Sequence, residues 1–139
     1  MTQEDRQLLL ADLCSRLPYG VKVLIPECRQ DIATLIGADD KCFAVKYGSI
    51  FYCPFHISIK PYLRPISSMT EAEKEELRLT YSFIYSDYPF DDEDEDEDSI
   101  EGHYEPSVET FDWYNKNMFD YRGLISKGLA LEAPEGLYN

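Results

Sequence analysis

Apolar residues recur with two different periods in the first half of the chain, and each period predicts a different element. Leucines recur every four residues from Leu9 to Leu17, so we predict an amphipathic helix over residues 3–16, ended by Pro18. Its apolar stripe is expected to face the core. Strands are then predicted at residues 21–25, 31–36, 42–47, 50–53 and 55–59, with a hairpin turn at Gly48-Ser49.

The stretch from residue 59 to residue 81 joins this strand-rich half to a helix-rich half. Pro61 and Pro65 each fix φ and push the preceding residue towards extended geometry. We therefore predict a stiff, extended segment that lies at the edge of a sheet or crosses it. Thr70 and Glu73 then have the spacing of a capping box. Apolar residues at helical spacing predict that this helix runs from residue 71 to about residue 85.

A third helix is predicted near residue 108, with Ser107 as its N-cap. Its apolar face is expected to contain Val108, Phe111, Asn115 and Met118. The apolar segment 129–138 is expected to dock on the body of the protein. These elements predict one α+β domain, residues 1–139, built on a small antiparallel sheet that is either SH3-like and barrel-shaped or strongly bent. N-terminal, central and C-terminal helices would pack on that sheet, and a flat α+β sandwich is the alternative.

Eight consecutive acids, DDEDEDED, occupy residues 91–98. Self-repulsion and the lack of apolar groups predict that residues 87–105 form an acidic, disordered loop within the domain. A floppy run does not hold its carboxylates at phosphate-like spacing, so mimicry of DNA is not favoured. The net charge is −14, of which residues 1–70 contribute +1 and residues 71–139 contribute −15. Direct nucleic-acid binding is therefore not expected, because phosphate contacts need a basic surface.

The residue types that carry catalysis or bind metals do not form a known pattern. The four cysteines contain no C-x-x-C pair, which favours buried, reduced thiols and predicts no metal and no cofactor. Cys53 and His56 have opposite parity along a strand and would face opposite sides of a sheet. No Walker A motif and no G-x-G-x-x-G motif is present. We therefore expect a protein that is not an enzyme.

The better binding candidates are cationic and aromatic side chains. Lys60, Tyr62 and Arg64 alternate along the extended segment and could share one face. Tyr121 and Arg122 precede a glycine in a predicted loop. Trp113 is the only tryptophan, and it completes the candidate set. If the C-terminal loop folds back on residues 60–64, these groups would converge on an anionic ligand. The alternative is that the aromatic residues pack and the arginines pair with neighbouring acids.

Three motifs carry a resemblance to a known group of proteins. They are LCSRLPYGV at residues 13–21, KPYLRPISSMT at residues 60–70, and FDYRGLI at residues 119–125 running on to EAPEG at residues 132–136. The chain resembles a widespread family of uncharacterised small proteins from gut anaerobic bacteria and their phages or prophages. The resemblance implies a phage-type accessory factor that binds a host protein or a host signalling molecule. It implies no catalytic residues.

Two functions from different classes follow. The first is a non-catalytic accessory protein that engages a host protein and inhibits a host defence. The second is a binder or sponge for a small anionic ligand such as a nucleotide, and an enzyme with an unrecognised site is a third. No apolar run is long enough for a membrane span and no secretory signal is expected, so we predict a cytoplasmic protein without a membrane partner. An exposed strand edge near Pro61 and Pro65 leaves homodimerisation open.

Overall fold

A computed structural model describes residues 2–25, 30–54, 59–85 and 102–138. Within these residues the helices are α1 (Gln3–Arg16), α2 (Glu71–Arg78) and α3 (Val108–Lys116). The strands are β1 (Lys22–Ile25), β2 (Gln30–Ala38), β3 (Cys42–Tyr47), β4 (Ser49–Pro54), β5 (Lys60–Leu63), β6 (Ser82–Tyr85), β7 (Gly102–Glu105) and β8 (Leu131–Glu132). The predicted α+β class is confirmed.

The described chain divides into two compact units, and the single domain over residues 1–139 stays a prediction. The first unit contains residues 1–69 and 114–139, and the second contains residues 70–113. The predicted acidic loop, residues 87–105, falls in the second unit. Its last four residues form strand β7, and the acidic run 91–98 lies outside the described residues.

Helix α1 is set by its first residues and by one apolar stripe. The Thr2 hydroxyl accepts a hydrogen bond from the Asp5 backbone N–H at 3.0 Å, which satisfies a donor that the helix leaves unpaired. Leu9 and Leu13 are fully buried. The helix is followed by a short 3-10 turn, Leu17–Tyr19, in which proline occupies an early position. The predicted bounds of this helix are confirmed.

The first unit is built on one open sheet with the strand order β4-β3-β2-β1-β5-β8. Neighbouring strands from β4 to β5 are antiparallel, and β8 is parallel to β5. The two outermost described strands, β4 and β8, do not pair with each other, so the SH3-like barrel is not confirmed. Strand β5 does not lie at the edge of the sheet, which is one of the two positions predicted for it. Strand β1 pairs with one side of β5 and β8 with the other.

Two turns of this sheet are tighter than predicted. Strand β2 extends to Ala38, so its turn begins only at Asp39. One carboxylate oxygen of Asp39 accepts hydrogen bonds from the backbone N–H groups of Lys41 and Cys42, both at 2.8 Å. These hydrogen bonds lower the pKa of Asp39. In the following hairpin Tyr47 pairs with Ser49, so that Gly48 alone forms the tip, at a φ of 70°. Of the strand predicted at residues 55–59, residues 55–58 lie outside the described residues.

The core of the first unit lies between one face of this sheet and helix α1. Residues of α1, of the five antiparallel strands and of the C-terminal segment form this core. They include Leu9, Leu13, Val23, Ile25, Ala33, Leu35, Phe43, Val45, Cys53, Leu63, Met118, Leu124 and Leu129. Most of them are less than 2% exposed. We call this side of the sheet the core face and the opposite side the outer face.

The C-terminal segment docks on the body of the first unit, as predicted. The Asp120 carboxylate accepts hydrogen bonds from the backbone N–H groups of Leu124 and Ile125 at 2.8 and 2.9 Å. The turn that starts there ends in a Schellman pattern, because the N–H of Leu129 bonds to the carbonyl of Leu124 and the N–H of Gly128 to that of Ile125. Gly128 has a φ of 73°, which a residue with a side chain adopts only at a cost.

The second unit begins with the predicted capping box. The Thr70 hydroxyl accepts from the Glu73 backbone N–H at 3.2 Å, and the Glu73 carboxylate accepts from the Thr70 N–H at 3.0 Å. However, α2 ends at Arg78, and the last residues of the predicted helix form β6, which pairs with β7. Long-range pairing has overridden the local helical spacing there.

Helix α3 starts near its predicted N-cap, and the face predicted to be buried is confirmed only in part. Asn115 and Met118 are buried, with 6% and 1% of their surface exposed. Val108 and Phe111, assigned to the apolar face, are 75% and 44% exposed. Thr110 is fully buried instead, and its hydroxyl bonds to the Thr80 carbonyl oxygen at 3.1 Å. The hydroxyl of Ser107 donates to the same carbonyl oxygen. Polar pairing therefore sets the orientation of this part of the helix.

Candidate functional site

Strand β5 carries two of the predicted binding residues. Its buried residues are Pro61 and Leu63, which alternate with the partly exposed Lys60 and Tyr62. Because side chains alternate across a strand, Lys60 and Tyr62 lie on the outer face of the sheet. This is the shared face that the sequence pattern indicates for them.

Arg64 follows β5 and is held by the C-terminal segment. Its backbone N–H donates to the carbonyl of Met118 at 2.7 Å, and its carbonyl accepts from the N–H of Asp120 at 2.9 Å. Its guanidinium lies 4.2 Å from the centre of the Phe119 ring, within the range of a cation–π contact. The C-terminal loop therefore does fold back on Arg64.

Arg122 and Tyr121, however, are directed towards helix α1. The Arg122 guanidinium donates to the Asp12 carboxylate at 2.9 Å and to the Ser15 hydroxyl at 3.2 Å, and only 22% of its side chain is exposed. It also lies 4.5 Å from the centre of the Tyr121 ring. Helix α1 covers the core face, whereas Lys60 lies on the outer face. The structure thus places these predicted residues on two different sides of the sheet.

Trp113 belongs to the second unit, whereas the other candidate residues belong to the first. It is 8% exposed, and its indole N–H donates to the Glu76 carboxylate at 3.1 Å. The donor group of a buried indole normally finds such a partner. These contacts join α3 to α2 inside the second unit.

The pairing of Arg122 belongs to a buried ion network centred on Asp12. Asp12 and Arg16 both have no exposed side-chain surface. Arg16 donates two hydrogen bonds to the Asp12 carboxylate, at 3.0 and 3.1 Å, and a third to the Phe119 carbonyl oxygen at 2.6 Å. Asp12 and Arg16 stand four positions apart along α1, so they are neighbours on the helix surface. The four-position spacing of Asp12 and Arg16 beside the leucines of α1 is visible in the sequence.

The outer face combines apolar and cationic side chains. Exposed apolar residues on β2 and β4 are Ile32, Ile36, Ile50 and Tyr52, with exposed fractions of 36, 41, 53 and 75%. The strand register aligns Lys22, Thr34, Lys46 and Ile50 in one row across four strands. Lys60 of β5 pairs with Leu24. It therefore lies beside the outer-face position of β1 that comes after Lys22. None of these outer-face residues was a candidate except those on β5.

The charge of this outer face has one sign. Among the strand residues whose side chains the structure describes, no acid occupies an outer-face position. Lys46 is exposed, and the ammonium of Lys22 donates to the Thr34 hydroxyl at 2.7 Å. Adjacent strands lie about 4.8 Å apart, so the two lysines of the row are spaced by about 10 Å. Such spacing suits an extended acidic surface better than one compact anion.

Tyr138 locks the two strands that carry Lys22 and Tyr62. Its hydroxyl donates to the Tyr62 carbonyl at 2.6 Å and accepts from the Lys22 N–H at 2.9 Å. Burial raises the pKa of Tyr138 well above the usual tyrosine value, because the phenolate would lose its hydration. The backbone that positions the cationic end of the outer face is therefore fixed from the core side.

The described residues contain no group of three or more His, Cys, Asp or Glu side chains suited to a metal ion. Cys14, Cys42 and Cys53 are not in disulfide bonds. His56 and Cys28 lie outside the described residues, so the geometry of the Cys53 and His56 pair is not described. No helix in the described parts of the chain is long and apolar enough to cross a membrane.

Comparisons with protein-family models, with curated proteins and with solved structures found no significant match for this chain.

Proposed function

We propose that the chain is a non-catalytic accessory protein that engages another protein through the outer face of the sheet in its first unit. The observation that carries the proposal is the concentration of exposed apolar side chains there. Ile50 and Tyr52 are more than half exposed, on an outermost strand. Contiguous apolar surface on a soluble protein commonly marks an interaction site. Exposed tyrosines are also enriched among the residues that dominate binding energy.

The outer face is better supported as a binding site than the predicted anion-binding cluster that includes Arg122. Arg122 directs its guanidinium to Asp12 and Ser15, and Arg16 is fully buried against the same carboxylate. Moving either arginine to a ligand would leave the buried Asp12 carboxylate with fewer partners. Breaking a buried ion pair typically lowers the stability of a protein by about 3–5 kcal/mol. A small anionic ligand is therefore not favoured at Arg122.

The resemblance to phage and prophage proteins makes a protein of the bacterial host the expected partner, and a host defence protein the expected target. This part of the proposal rests on that resemblance alone. The test is quantitative affinity capture from extracts of gut anaerobic bacteria, followed by reconstitution of the complex from two purified proteins.

Two variants with equal exposure separate a specific partner from adhesion. Tyr52→Ser removes an aromatic side chain that is 75% exposed on β4, and Val108→Ser removes an apolar side chain of the same exposure in the second unit. We expect a captured protein to be lost with Tyr52→Ser and retained with Val108→Ser. A complex that survives Tyr52→Ser at full affinity would exclude the outer face as its interface.

A further inference from the structure

The outer face also indicates the chemistry of its partner, and this inference rests on the proposed function. We infer that the partner presents an acidic, extended segment, with carboxylates above the lysines and apolar side chains above Ile50 and Tyr52. Lys22 and Lys46 lie in one row with Ile50, so charged and apolar contacts are offered side by side. The strand spacing places them within reach of one segment that crosses the sheet.

Charge complementarity favours this occupant over a second copy of the chain. Two outer faces brought together would oppose lysines to lysines, because no described outer-face side chain is acidic. Like charges held together at an interface oppose association, whereas complementary charges mainly raise the association rate and fix the register. A second copy on this face is therefore an outcome that would contradict the inference.

The apolar content of the face favours a protein segment over a nucleic acid. A phosphate backbone needs many cations along its path, and this face offers few beside several isoleucines. Because alternate residues of an extended chain share one face, a partner segment whose carboxylates and apolar side chains take turns at those positions would meet both the lysines and Ile50 and Tyr52. Specificity would then come from the lysines and contact area from the apolar side chains.

The first experiment is a titration of the isotope-labelled full chain by heteronuclear NMR. The probe is a capped twelve-residue peptide of three Glu-Ser-Val-Ser repeats, so that glutamate and valine alternate along one face of the extended chain. Its counterparts carry glutamine or lysine at the glutamate positions. We expect the glutamate peptide alone to shift the amides of β1, β3 and β4, with binding weakened about ten-fold or more in 0.5 M salt. Equal binding of the glutamine peptide, or shifts confined to other amides, would overturn the inference.

Charge reversal supplies the second readout. Lys46→Glu changes an exposed outer-face residue, and Lys127→Glu makes the same change at an exposed position outside the sheet. Lys46→Glu should weaken the glutamate peptide about ten-fold, a change of about 1.4 kcal/mol, whereas Lys127→Glu should leave it within two-fold. Equal effects of the two variants would mean that only net charge matters, and would refute a defined row.

Three further outcomes would each overturn this inference, and the first would do so while upholding the proposed function. A captured protein that Tyr52→Ser releases and Lys46→Glu does not would uphold the interface and refute its acidic partner. Binding of a twelve-nucleotide oligothymidylate to the same amides, in place of the glutamate peptide, would assign the face to nucleic acid. A concentration-dependent dimer that Lys46→Glu strengthens would assign it to a second copy.

Discussion

Removing the Asp12 carboxylate should destabilise the protein more than any change on the outer face. Asp12 is fully buried and accepts hydrogen bonds from two arginines, Arg16 at 3.0 and 3.1 Å and Arg122 at 2.9 Å. Asp12→Ala leaves the Arg16 guanidinium in the core without a counter-ion, with the backbone carbonyl oxygens of Tyr114 and Phe119 as its described hydrogen-bond acceptors. A buried charge without a counter-ion is among the costliest defects in a folded protein.

The structure sets the size of this effect. Two unit charges about 4 Å apart attract by about 4 kcal/mol at an effective dielectric constant near 20. Measured losses on breaking buried pairs are about 3–5 kcal/mol. Alanine is the better helix former by at most about 0.7 kcal/mol, which offsets little of the loss. We therefore expect Asp12→Ala to lower the free energy of unfolding by about 3 kcal/mol or more, a large share of the 5–15 kcal/mol typical of a domain.

Urea denaturation followed by far-ultraviolet circular dichroism measures this loss. With an m value of about 2 kcal/mol per molar urea, the midpoint should fall by about 1.5 M or more. Because the pair is buried, the loss should persist in 1 M salt, where exposed charges more than about 3 Å apart are screened. Arg122→Met should cost less than Asp12→Ala, because the Arg122 side chain is partly exposed.

A double variant tests whether the loss comes from an unpaired charge. Asp12→Leu combined with Arg16→Met replaces both charges with apolar side chains, which often restores stability at buried ion pairs. The double variant should therefore be more stable than either single variant. A loss below about 1 kcal/mol for Asp12→Ala, or a double variant whose losses simply add, would refute the reasoning.

Three further changes test local features of the structure. Tyr138→Phe should lower the free energy of unfolding, measured by urea denaturation, by about 1 kcal/mol, because the Tyr62 carbonyl loses its donor. Folding raises the pKa of Tyr138, so the stability of the wild type should also fall as pH rises above about 10. The variant should lose less stability over that pH range. Thr70→Ala should cost about 1 kcal/mol and speed hydrogen exchange of the α2 amides, whereas unchanged exchange would remove the capping box as a support. Gly128→Ala should cost about 1–2 kcal/mol in thermal denaturation because of its positive φ, while Gly37→Ala, whose new methyl would meet Ala44 at an ordinary 3.7 Å, should cost less.

Features set by neighbouring residues could be predicted from the sequence. Helix α1 begins and ends where its cap and its leucine spacing predict, and β3 has its predicted bounds. The capping box at Thr70 is also present. In each case the deciding interaction joins residues a few positions apart, so a short stretch of sequence contains all of the relevant physics.

Features set by distant residues could not be predicted in the same way. Residues 82–85 continue the helical spacing of α2, yet they form β6 because β7, about twenty residues later, supplies its ladder partner. The two-residue strand β8 likewise has no pattern of its own and exists because it pairs with β5. Local periodicity carries no information on either pairing.

The positions of the candidate binding residues could be predicted from the sequence in one part and not in another. Lys60 and Tyr62 share a face because strand alternation is local. The partner of Arg122 is Asp12, 110 positions away along the chain, so neither residue reveals the pair. The outer-face apolar residues were assigned to strands, but which of their faces would be buried depended on where α1 packs.

The division into two units changes what the net charge of the chain means. Residues 70–113 hold 2 Lys/Arg and 17 Asp/Glu, whereas the other residues hold 11 and 10. The excess of acid therefore belongs to the second unit, and the first unit is close to neutral. A net charge of −14 argues against an anionic partner only if the charge is spread over the surface that binds it. Since the outer face belongs to the first unit, its lysines can select an acidic partner although the chain as a whole is acidic.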